Sequence, residues 1–250
     1  MNNKTSFLRR IQLPRTPAEW LEAVMNFLFF LCGMLAVGCV VLITVYMVLS
    51  GVPAIHKIGL FRFLFGTEWA STAADPKFGI LPFILSSVYG TLGATLIGVP
   101  IGLLTAVFLS KAAGPKVRTV VVTAIELLSG IPSVVFGLLG MQVLVPAVAK
   151  TFGKASGACL LSAIVVLSIM ILPSIGEAMA VMMVAGNSPN MPDSVFRSVT
   201  FLTTAIAKEM SYAGGLQRQA LFSIALVLFG FIMIINIVLN VVLKGGDRDA

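Results

Sequence analysis

Of the chain's 250 residues, 58% are apolar and only 11% are charged, and the mean hydropathy is +1.03. A soluble domain carries about 25% charged residues, so composition excludes an ordinary soluble domain, and disordered and fibrous architectures with it. The net charge of +7 is spread over every connection and forms no basic patch with interleaved aromatics, which points away from nucleic acid and toward anionic lipid headgroups.

Crossing the hydrocarbon core takes roughly 20 apolar residues, and five runs are long enough: 27–49, 80–109, 119–149, 158–185 and 221–243. Only Glu126 and Glu177 place a charge inside them. The fold class expected is therefore an all-α polytopic membrane protein, with a tail over 1–26, a transmembrane domain over 27–243 and a second tail over 244–250. Lys4, Arg9, Arg10 and Arg15 precede the first run and set the N-terminus in the cytoplasm by the positive-inside rule, and Lys111, Lys116 and Arg118 put the connection after the second run on the same side. The first run, 23 residues long, exceeds a signal-peptide core and reads as a retained span.

The first connection, 50–79, carries Phe61, Phe63, Phe65 and Trp69, which fit either an aromatic belt or a docking surface for an external partner. The second run would be about 45 Å long as a straight helix and contains Pro100, a candidate kink, with Gly90, Gly93, Gly98 and Gly102 as close-packing positions. In the third run Glu126 lies about two turns in, followed by Ser129, Pro132 and Ser133. An ionisable residue at membrane depth is costly and is a functional candidate by default, and Pro132 is a second candidate kink whose freed backbone can be solvated in a cavity. The fourth run has 28 residues, too long for one untilted span and too short for two, and Pro173 and Glu177 interrupt its middle. Segment 186–220 includes 199–210, readable as a surface amphipathic helix, and the fifth run carries Asn236 and Asn240 one turn apart, where interhelical hydrogen bonds are expected.

Catalytic chemistry is not expected. The single histidine, His56, lies in a connection, Cys32, Cys39 and Cys159 show no metal or disulfide spacing, and no GxxxxGK[ST] phosphate loop is present. The cysteines read as small packing residues. If ATP powers the work of this chain, a separate subunit supplies it.

The string IELLSGIPSVVFG at 125–137 closely resembles the third-span motif of the membrane permease of phosphate-specific ABC importers, the PstC type. FLFGTEW at 63–69, FGILPF at 78–83, VPIGLLTAVFLS at 99–110 and GEAMAVMMVAGN at 176–187 extend the resemblance over almost the whole chain. It implies an inner-membrane subunit of an ATP-driven importer of inorganic phosphate. It also implies a sister permease, ATPase subunits that hold ATP and Mg, and a periplasmic phosphate-binding protein as partners. The translocation-path candidates are then Glu126, Ser129, Ser133 and Glu177, with kinks at Pro100, Pro132 and Pro173.

One departure stands out. The cytoplasmic loop that docks such permeases on the ATPase, expected between Ile175 and Gly176, is missing, and LPSI at 172–175 runs straight into GEAMAV at 176–181. Five spans would place Lys244 and Arg248 outside, whereas the family's six spans return both termini to the cytoplasm. Either the fourth run folds as a re-entrant hairpin or the last third is inverted. A shortened, uncoupled subunit that only assembles with its sister, a recorded chain lacking a segment of the gene product, and a permease for another oxyanion are the alternative readings.

Overall fold

A computed structural model describes residues 17–171, 181 and 183–246. They form two units divided after Tyr46. In the first lies most of helix α1 (Pro17–Ile58), apolar and exposed along its length from Trp20 to Ile43. Cys32 and Cys39 sit on this exposed surface, so they are not packed inside the chain as expected, whereas Cys159 is buried.

The second unit begins with the last turns of α1, which closes on His56 and Lys57, cations placed favourably against the carbonyl end of the helix. A short helix α2 (Leu60–Phe65) and a two-residue hairpin of β1 (Trp69–Ala70) and β2 (Lys77–Phe78) lead into α3 (Leu81–Lys111). Pro82 occupies the first turn of α3, where a missing N–H costs nothing. The helix continues through Pro100 as one element, so the kink expected there does not divide it.

The third apolar run is not one helix. It is divided into α4 (Pro115–Gly130), α5 (Ser133–Leu139), a π-helical turn (Gly140–Leu144) and α6 (Val145–Phe152). The break falls at Ile131 and Pro132, both extended at φ/ψ of −77°/124° and −56°/138°. Proline disfavours helical backbone in the residue before it and donates no N–H, which explains the position of the break. Helix α7 (Leu160–Ile171) covers the first part of the fourth run, and α8 (Leu202–Glu209) and α9 (Gly215–Gly246) complete the described fold. Among the described residues four helical segments are long and apolar enough to cross a membrane, at 20–58, 81–111, 133–152 and 215–241, with α7 as a shorter apolar helix.

Helices α3 and α7 pack through small residues. A Cβ on Gly98 would meet the Ser168 carbonyl oxygen at 3.0 Å, one on Gly93 would meet Ile164 Cδ1 at 2.7 Å, and Gly90 lies against the Phe201 ring. Ser168 Oγ donates to the Ile164 carbonyl within α7 and lies 3.4 Å from the Ala94 carbonyl on α3. Leu160, Ala163, Ile164, Val166 and Met170 of α7 share a core with Val181, Val184, Ala185, Val199 and Phe201. A second core joins Ala54, Phe63, Trp69, Phe78, Ile80 and Phe83 to Leu202, Ala205, Leu221 and Ile224.

Candidate functional site

Three long-range arrangements in the second unit bear on function. The first is a cap. The connection after α1 and the connection before α9 are held together by Glu209, whose carboxylate accepts from Trp69 Nε1 at 3.0 Å, Ser71 Oγ at 2.9 Å and Gln217 Nε2 at 3.0 Å. Gln217 Nε2 also reaches Ser71 Oγ at 3.1 Å. Below this node Trp69 packs edge-on to Phe78 and tilted on Phe83, with ring centroids 5.5 and 5.4 Å apart. Partial desolvation of Tyr212, which keeps 59% of its surface exposed, with a contribution from Glu209, raises its phenol above the usual 10.0. The N-terminus of α8 is tied to α3 through Leu202 N–H donating to Ser87 Oγ at 3.0 Å, and Thr204 Oγ1 reaches back to the Phe201 N–H at 2.9 Å. The surface helix expected over 199–210 is thus shorter, and it is half inserted, with Leu202, Thr204 and Ala205 buried.

The second arrangement concerns the fourth run. Its two ends meet at this cap. Leu160 and Leu161 N–H groups donate to the carbonyls of Arg197 and Val195, and Val199 N–H donates to Ala185, at 2.8–3.1 Å. A Cβ on Gly186 would lie 2.6 Å from the Ala158 carbonyl oxygen. Val166 and Val184 both line the pocket against Gly140, so the described parts of the run lie side by side. The chain leaves the cap along α7 and is back at it by Ala185. Gly186 at φ 91° and Asn187 at φ 56° make the left-handed turn that ends the return. Of the two topologies open from sequence, this closeness of the two ends fits the hairpin; Pro173 and Glu177 lie outside the described residues.

The third arrangement is the helix break. Ser133 is buried at the start of α5, with 7% of its surface exposed, whereas Glu126 and Ser129 are exposed on α4, a helix with no buried residue. Ser129 Oγ donates to the Glu126 carbonyl at 2.7 Å, a bond within one turn that leaves the Glu126 carboxylate out of the pair. Glu126 thus lies on α4, before the break, and the candidate crossing helix of this run starts after it, at Ser133. The structure gathers Ser129, Pro132 and Ser133 at one discontinuity, with Glu126 a turn away.

Sequence reading named neither the Glu209 node nor its members as a unit. Trp69 and Glu209 lie 140 positions apart, and the signal available was two connections that each carry an isolated polar or aromatic residue able to pair.

The fold is that of a polytopic all-α membrane protein. No family model matches the chain, and no solved structure matches it. Curated proteins do. The chain is 31% identical over 267 positions to a probable ABC transporter permease protein, YqgH, of Bacillus subtilis, with 82% of this chain and 86% of the relative covered. It is 27% identical to the phosphate transport system permease protein PstC of Pasteurella multocida, covering 72% and 78%, and 25% identical to PstC of Haemophilus influenzae, covering 84% and 89%. The chain belongs to the ABC transporter permease family.

The pairings also carry a gap. That with the Bacillus protein runs over 267 positions yet engages 82% of 250 residues, about 205, so roughly sixty positions of the relative have no residue here. The Haemophilus pairing, 283 positions with 84% of this chain, leaves roughly seventy.

Proposed function

We propose that this chain is a membrane permease subunit of an ATP-driven importer of inorganic phosphate, forming the translocation path with a sister permease in the inner membrane. The observation that carries this reading is the similarity, over most of the chain, to permeases that include two named for phosphate transport. ATP and Mg belong on a separate ATPase subunit, since this sequence has no phosphate loop. The basic N-terminal tail is cytoplasmic, which makes the cap external and orients it toward a periplasmic phosphate-binding protein. The hairpin of the fourth run supports this orientation, because it returns the chain to the cap and lets α9 leave again toward the cytoplasm.

In this reading Glu126, Ser129, Ser133 and Glu177 line or gate the path, with Pro132 opening the helix there. The support is physical: irregular backbone at membrane depth is tolerated where it lines a cavity or is covered by protein. Asn236 and Asn240, exposed on α9, fit contact with a helix of the sister permease.

The gap of roughly sixty positions favours a second reading, a shortened subunit that assembles with its sister but is uncoupled from ATP. Labelled-phosphate uptake separates the two. Cells lacking their own permease subunit are given this chain with the sister permease, the ATPase and the binding protein. Uptake above the empty-vector control supports the importer, whereas uptake at the control level, with the chain present in the membrane, supports the uncoupled subunit.

A further inference from the structure

A cavity of about 560 Å3 opens beside the cap, away from the helix break. Both signs of charge line it. Lys57, from the last turn of α1, and Arg62 of α2 are in no ion pair among the described residues. The segment 68–77 adds Glu68, Asp75 and Lys77, with Lys77 bonded to Glu68. The floor is apolar, made by Ile58, Phe78 and Leu216.

The depth of the cavity in the membrane follows from α2. Phe63 anchors that helix in the core at 0% exposure, while Phe61 and Phe65 on its outer side are 79% and 62% exposed and stack with ring centroids 6.3 Å apart. Bare aromatic rings at the end of a membrane-crossing helix belong at the interface between hydrocarbon and water. Arg62, between them on the same helix, lines the cavity, and this sets the cavity at headgroup level.

We propose that this cavity holds the headgroup of a zwitterionic phospholipid with a primary ammonium, of the phosphatidylethanolamine class. Its phosphate meets Lys57 and Arg62, its ammonium donates to Asp75 and Glu68, and the first carbons of its glycerol lie on the apolar floor. The carboxylates select the lipid class. A plain anionic headgroup would face Glu68 and Asp75 with no positive charge to offer them, and the choline of phosphatidylcholine has no N–H to donate. Free phosphate shares the chemistry of Lys57 and Arg62 alone. The inference is independent of the transport reading and concerns a site distinct from Glu126, Ser129 and Ser133.

The test is native mass spectrometry on the purified full chain with phosphatidylethanolamine, phosphatidylglycerol and phosphatidylcholine of identical acyl chains. We expect phosphatidylethanolamine to be retained about tenfold over either competitor. Lys57→Gln with Arg62→Gln should remove that preference. Glu68→Gln with Asp75→Asn should invert it, so that phosphatidylglycerol is retained best, an outcome that mere misfolding does not produce. Equal retention of the three lipids by the parent chain, a preference for phosphatidylglycerol in the parent, or an unchanged order in the carboxylate variant would overturn the proposal. In a second arm labelled inorganic phosphate is offered to the delipidated chain. Saturable binding abolished by Arg62→Gln would assign the site to free phosphate and overturn the lipid assignment, and no binding supports it.

Discussion

Glu209→Ala removes the carboxylate that accepts from three donors, of which Gln217 Nε2 alone keeps a second acceptor, Ser71 Oγ. The indole N–H of Trp69 is the most affected, because that side chain is only 7% exposed and its neighbours Phe78 and Phe83 offer no acceptor. Hydrogen bonds to a charged group contribute about 1.5–3 kcal/mol each. The three share one acceptor and the node is only partly buried, so the losses do not add, and about 2–4 kcal/mol is the expected total. At roughly 2–4 °C per kcal/mol for a chain of this size, the melting temperature should fall by roughly 5–15 °C. Glu209→Gln keeps an oxygen for Trp69 and should lose less than half as much. The assay is thermal unfolding of the detergent-solubilised chain, followed by Trp69 fluorescence in a Trp20→Phe background, since the chain has two tryptophans. A Glu209→Ala variant melting within about 1 °C of its parent would refute the role of this carboxylate as the clasp of the cap.

The other predictions concern packing, titration and transport. Gly98→Ala presses a methyl group on a backbone carbonyl of α7 and should cost about 1–3 kcal/mol, Gly93→Ala should cost less because it meets the tip of Ile164, and Gly230→Ala, with open space around it, should be neutral or gain up to about 1 kcal/mol. Melting temperatures in that order support the α3–α7 interface, and a neutral Gly98→Ala contradicts it. Because folding raises the Tyr212 pKa, its contribution to stability is complete below the unfolded value and is lost as pH rises through the folded one. The tyrosinate absorbance missing from Tyr212→Phe should therefore have a midpoint above 10.0 that moves down in Glu209→Gln, and a midpoint at or below 10.0 would remove the desolvation argument. Glu126→Gln should abolish phosphate uptake at normal membrane levels and leave melting unchanged, since the carboxylate is exposed and Ser129 bonds the backbone carbonyl; full uptake takes Glu126 out of the path.

Length and hydropathy were enough to find the crossing helices, because a membrane demands long apolar runs and penalises charge within them. They were not enough to divide the third run. Apolar composition is blind to the extended pair Ile131 and Pro132, although Pro132 itself marks the place, and Lys116, Arg118 and Glu126 make α4 a more polar helix than its successor. The 28 residues of the fourth run posed the question of a return without answering it. The geometry that bears on it rests on hydrogen bonds from Leu160, Leu161 and Val199 to partners 14 to 37 residues away, which no local pattern encodes. The cap was illegible for the same reason: Trp69, Ser71 and Glu209 are unremarkable singly, and their meaning is their meeting. Of the candidate path residues, Ser129 and Ser133 flank a helix break that Pro132 marks in the sequence, and Glu126 lies a turn before it on α4.

The central proposal is that the fourth run returns the chain to the cap. Cysteine accessibility measures it most directly. In a chain with Cys32, Cys39 and Cys159 replaced by serine, single cysteines at Lys154, before α7, and at Thr203, after the return, are labelled with an impermeant maleimide from outside intact cells, beside a control at Lys111, at the far end of α3. Labelling of Lys154→Cys and Thr203→Cys from the outside, with Lys111→Cys protected until the membrane is opened, is the result this account predicts. Labelling of Lys154→Cys and Thr203→Cys from opposite sides would contradict it, for the fourth run would then cross once and the last third of the chain would be inverted.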